Sequence, residues 1–122
     1  MKRNPSKKSS LRISLSPAES SAIIDALDFM SMCETFTFEN QKFTIDHVDR
    51  ATYKAQTGDT SYTRSELRAV STAIDFTILC LSENPSAVAQ VKEDSPELIA
   101  ALDVSQETLI SLRPRFHAYL AR

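Results

Sequence analysis

TRSELRAVSTAIDFTILCLSEN, residues 63–84, reads as a helix from its first residue to its last. Thr63 and Glu66 form a capping box, in which the Thr hydroxyl takes one free backbone N–H of the first turn and the Glu carboxylate takes another. Leu67, Val70, Ile74, Ile78 and Leu81 follow at helical spacing and make one apolar stripe, while Phe76, Leu79 and Cys80 are apolar on other sides. Asn84-Pro85 opposes continuation. A helix that is apolar on several sides belongs in the middle of something, so the chain is expected to be mainly α, a bundle of four to five helices packed around this one.

The same pattern stands 47 residues earlier. Laying residues 16–33 over 63–80 matches Glu19 with Glu66, Ala22 with Ala69, Ala26 with Ala73, Asp28 with Asp75, Phe29 with Phe76 and Cys33 with Cys80. A capping box and an apolar stripe recur in any helical protein, but helicity does not require the Asp-Phe pair or the cysteine. The two segments are therefore read as an internally duplicated helix, the copies related by a pseudo-two-fold within one bundle. In the first copy Phe29 and Met32 lie off the main stripe of Ile23, Ala26, Leu27, Met30 and Cys33, which predicts a second contact surface on that helix.

The remaining elements are placed outward from these two. Leu11, Ile13 and Leu15 alternate with polar residues and suit a short strand or an extended lead-in. Phe36, Phe38, Phe43 and Ile45 alternate around a turn-like Glu39-Asn40-Gln41-Lys42, which predicts a small β-hairpin at about 35–45. Residues 46–55 read as a weak helix, 56–62 as a loop around Gly58, and 86–93 as a short helix. Ser95-Pro96-Glu97 opens a helix to about Leu102, and Ser105 is expected to cap a last one, which Pro114 should kink or divide. This makes a basic, mobile N-terminal arm over 1–12 and a single helical domain over 13–122.

Of the 122 residues only Gly58 is a glycine. Phosphate-cradling loops, dinucleotide turns and nucleophile elbows each need several, so those sites are excluded and no cofactor is expected. No run approaches the ~18 apolar residues of a membrane span, and no apolar stretch follows MKRNPSKKSS, so the expected location is cytoplasmic, with no membrane partner. Cys33 and Cys80 lack any C-x-x-C or histidine at ligand spacing and are read as buried free thiols acting as small hydrophobes.

Asp28 and Asp75 are expected to be solvated or arginine-paired. His47, between Asp46 and Asp49, is a poor metal site because the three side chains leave a helix in different directions. Tyr53, Tyr62 and Tyr119 read as packing residues with one wet end. No residue set forms a catalytic motif; an enzyme would need Asp28, Asp75, His47 or His117 to converge.

Charge is the more informative pattern. The formal net charge is -2, but residues 13–112 carry all sixteen acids against six bases, a net -10. Lys2, Arg3, Lys7, Lys8 and Arg12 precede the first acid, and Arg113, Arg115 and Arg122 follow the last. A small non-catalytic helical interaction protein is expected, one that docks a protein partner or a second copy of itself and takes no small-molecule substrate. The alternative is a nucleic-acid accessory protein contacting phosphates through Lys2, Arg3, Lys7, Lys8, Arg12, Arg113 and Arg115, or an acidic inhibitor that mimics nucleic acid.

Overall fold

Both expected capping boxes are formed. Ser16 Oγ accepts from the Glu19 amide at 3.2 Å while the Glu19 carboxylate accepts from the Ser16 amide at 2.9 Å, and Thr63 and Glu66 repeat the exchange at 3.2 and 2.9 Å. They open α1 (Pro17–Met32) and α3 (Arg64–Glu83). The computed structural model describes residues 10–122; residues 1–9, and with them Lys2, Arg3, Lys7 and Lys8 of the expected arm, lie outside the described residues.

Three further helices complete a mainly α fold: α2 (Ile45–Thr57), α4 (Pro85–Asp94) and α5 (Pro96–Leu120). α2 ends on Gly58, whose φ of 81° is the left-handed conformation that glycine adopts without steric cost, and whose N–H returns to the Lys54 carbonyl. Asn84 caps α4 through its side chain on the Ala87 amide.

α1 and α3 lie parallel, with Phe29 against Phe76 at 6.0 Å between ring centroids and the Thr77 hydroxyl donating to the Ala26 carbonyl. α5 runs antiparallel to both. Its C-terminal half meets the start of α1 through Arg115 and Glu19, and Arg64, at the start of α3, donates to the Leu120 carbonyl. The matched Phe29 and Phe76 of the two similar helices thus meet across the α1/α3 contact. The core runs between α1, α3 and α5, with Leu27, Phe29, Met30, Ile74, Leu102, Leu109, Leu112 and Phe116 nearly or fully buried. α3 is central, as its apolar sides predict. Its neighbours cover most of the surplus, leaving Leu79 half exposed.

Four expectations are corrected. Residues 35–45 form turns rather than a hairpin, because Phe36, Phe38 and Phe43 gather into one aromatic cluster over Phe76. Phe36 lies 5.1 Å from Phe38 and from Phe76 between centroids, so the alternation reflects convergence on one plug and not strand pairing. The antiparallel pair joins β1 (Ser10–Arg12) to β2 (Ser61–Thr63), with Leu11 opposite Tyr62. Ser10, Leu11 and Arg12 are therefore strand and not arm, and Arg12 bonds the Thr60 hydroxyl.

The last helix is also not divided. α5 is continuous over 25 residues, without a break near Ser105 and with Pro114 inside it. Leu98, Ile99, Leu102, Leu109, Leu112 and Phe116 make one buried stripe across both positions, and this packing holds the helix together where Pro114 withholds one N–H. Finally, Tyr62 has no wet end. It is 1% exposed, and its hydroxyl has no hydrogen-bond partner.

Candidate functional site

Glu19 and Glu66, the two capping carboxylates, each hold a distant cation as well. Glu19 receives Arg115 at 3.0 Å, and Arg115 also donates to the Ser14 carbonyl and the Tyr119 hydroxyl. Backbone donation within the cap, first, and then the Arg115 charge hold the Glu19 carboxyl below its ordinary value. Glu66 is 1% exposed and receives Lys54 Nζ at 2.6 Å, while the same ammonium donates to the Ser61 carbonyl at 2.6 Å and lies over the Tyr62 ring. These bonds tie α5 to α1 and α2 to α3. Both pairs are structural.

Two clefts on the surface bring chemistry-bearing side chains together. In the first, Asp75 is ion-paired with Arg113 at 3.1 Å and lies 2.9 Å from His117 Nε2, beside a cleft of about 460 Å³ whose walls include Phe36, Phe76 and Leu79. Asp75 is thus arginine-paired, one of the two states expected for it. Asp75 and His117 do converge, but Asp28 lines a different cleft, and His47 bonds the Thr44 amide at the start of α2. The hydroxyls lining the Asp75 cleft are those of Thr35, Thr37 and Thr72. Asp75, Arg113 and His117 are all well exposed, and such contacts contribute little.

The second is a groove of about 430 Å³ between α1 and α5, lined by Asp25, Asp28, Ser31 and Met32 on one side and Ser95, Glu97, Leu98 and Ala101 on the other. Met32, Leu98 and Ala101 give it an apolar floor. Val104 stands three residues beyond Ala101 and seven beyond Glu97, which puts it on the same side of α5, and it is 86% exposed. Met32 is the residue whose position off the main stripe predicted a second contact surface on α1.

The electrostatics of this groove are one-sided. Its lining holds three acids, Asp25, Asp28 and Glu97, and no base, because both walls come from the base-free stretches 13–41 and 93–112. Among the described residues none of Asp25, Asp28 and Glu97 is ion-paired. Burial raises the Asp25 carboxyl above its ordinary value and the Asp28 charge raises it further; burial raises Asp28 likewise. Glu97 sits in the first turn of α5, where the helix dipole favours an acid. Asp25 and Asp28 have no such compensation.

The other sequence candidates fall elsewhere. Cys33 and Cys80 are both buried and free, and the Cys80 thiol is pushed up to about 11, first by burial and then by Cys33, so the matched cysteines lie within electrostatic reach of each other. Among the described residues no group of three or more His, Cys, Asp or Glu is placed to hold a metal ion, and no helix is long and apolar enough to cross a membrane. Arg113 and Arg115 are engaged by Asp75 and Glu19. No protein-family model, curated protein or solved structure matches the chain, so its functional reading rests on its own residues.

Proposed function

We propose that this chain is a small non-catalytic interaction protein that docks a protein partner on the α1/α5 face. The observation that carries this reading is the open apolar floor of Met32, Leu98 and Ala101, continued by an almost fully exposed Val104. Isolated exposed apolar residues are ordinary, but a valine aligned with a groove between two packed helices extends one continuous surface. A third helix laid along it would bury that surface as α3 buries the opposite sides of α1 and α5.

A photo-cross-linking side chain placed at Val104 tests this in the living host, with the same group at Tyr53, which is 64% exposed on α2, as the control. A discrete light-dependent adduct from position 104, absent from position 53, is expected. Its mass separates a different partner from a second copy of this chain. Cross-linking from position 104 no stronger than from position 53 would overturn the reading.

A further inference from the structure

The partner's chemistry can be taken further, on the reading that α1 and α5 form the docking face. We infer that the groove receives a basic amphipathic helix, with an apolar stripe seated on Met32, Leu98, Ala101 and Val104 and Lys or Arg side chains flanking it to meet Asp25, Asp28 and Glu97. Three features of the structure select this occupant.

The first is charge complementarity. Two segments without a base form the walls, and among the described residues the tertiary fold leaves the groove's Asp25, Asp28 and Glu97 without an ion pair. Asp25 is half-buried beside apolar surface and the Asp28 charge opposes its own, so a cation brought between them gains more than on an open acidic surface.

The second is shape. The groove lies between antiparallel helices, and such grooves accept a helix at about 8–10 Å between axes, read through anchors at i, i+3 or i+4, and i+7. An extended peptide would need backbone partners. The one sheet among the described residues is β1–β2, and neither of its strands lines the groove. From Asp25 to Met32 the α1 wall spans ~10 Å at 1.5 Å per residue, enough for about two turns of a docked helix.

The third is what the chain itself cannot supply. Residues 2–10, KRNPSKKSS, bring four bases but no apolar anchor, and Pro5 opposes a helix. The base-rich end of α5 has Arg113 and Arg115 already paired. Neither of these two base-rich segments, from its own chain or from a second copy, offers an apolar stripe flanked by free bases, and the occupant is therefore a different protein.

A displayed library of helical peptides, panned against the full chain without charge bias in its design, reads this chemistry directly. Selected peptides are expected to carry Leu, Ile, Val, Met or Phe at helical spacing flanked by Lys or Arg. They should shift the amide resonances of residues 28–32 and 97–104, and should weaken about tenfold or more against the Asp25→Asn/Asp28→Asn double variant and with added salt. Ala101→Gln, which fills the floor without altering charge, is the second arm. If selected peptides lose binding to Ala101→Gln but are neutral or acidic, or bind Asp25→Asn/Asp28→Asn unchanged, the basic partner is refuted while the docking face stands. If they map elsewhere and both variants bind them normally, the docking face fails as well.

Discussion

Lys54→Met should destabilise this protein more than any other single change at a residue that retains solvent contact. The Lys54 ammonium donates at 2.6 Å to the Glu66 carboxylate and at 2.6 Å to the Ser61 carbonyl, and the Glu66 side chain is only 2% exposed. Methionine keeps the packing of the aliphatic stem but leaves a buried carboxylate holding only the Thr63 amide, at 2.9 Å. Breaking a buried pair on one side costs about 3–5 kcal/mol, because the orphaned charge has lost water and gained nothing. At roughly 4 °C per kcal/mol for a chain of this size, the Tm should fall by about 12–20 °C.

Urea denaturation followed by circular dichroism at pH 7, on the single and double variants together, measures the effect and its cause. The Lys54→Met/Glu66→Gln double variant should recover at least about 2 kcal/mol of the deficit. A loss below about 1 kcal/mol for Lys54→Met, or no recovery in the double variant, would refute the view that this pair fastens α2 to α3.

Three further outcomes are expected. Tyr62→Phe removes a hydroxyl that is buried without a partner beside a cavity of about 70 Å³, so urea unfolding should show a gain of up to about 1 kcal/mol; a loss of that size would reveal a bound water or other partner. With its thiol pushed up to about 11 by burial and by Cys33, Cys80 should resist a thiol reagent at pH 8 in the native protein and react at once in urea, whereas fast native labelling would overturn its packing role. Asp25 binds a proton more readily when folded than when unfolded, since burial and then Asp28 raise its carboxyl, so its contribution to stability is lost as pH rises from the unfolded value of ~3.9 through the raised native one. Asp25→Asn should therefore be the more stable protein at pH 7, by about a few tenths of a kcal/mol, with the advantage gone at pH 3; equal stability at pH 7 would refute this.

Much of the helical architecture was legible in the sequence because it is written locally. Capping boxes at Ser16 and Thr63, the stop at Asn84-Pro85 and the left-handed Gly58 all act within a turn or two of themselves. The errors came where a local signal was outvoted by packing. The phenylalanines of residues 35–45 alternate like a strand, yet they converge on Phe76, far along the chain. Ser105 and Pro114 look like breaks in α5, yet a buried stripe runs past both. The fully buried Tyr62 was likewise invisible from its neighbours, since Lys54 and the β1 strand cover it.

The candidate site was less legible than the fold. Asp28 and Met32 were singled out, but Asp25, Leu98, Ala101 and Val104 carried no signal of their own, because the partner across the groove is about seventy residues away in the chain. What the sequence determined alone is the set of capped helices, the left-handed turn at Gly58 and the segregation of charge into basic ends and an acidic middle, since each depends on residue type and short-range spacing. Tertiary structure decided which acids stand together. Packing α1 antiparallel to α5 pairs Glu19 with Arg115 at one end and leaves Asp25, Asp28 and Glu97 facing one another, unpaired, over an apolar floor at the other. Coulomb interactions follow distance in space and not separation along the chain, so only the folded arrangement turns a dispersed negative charge into a directed surface.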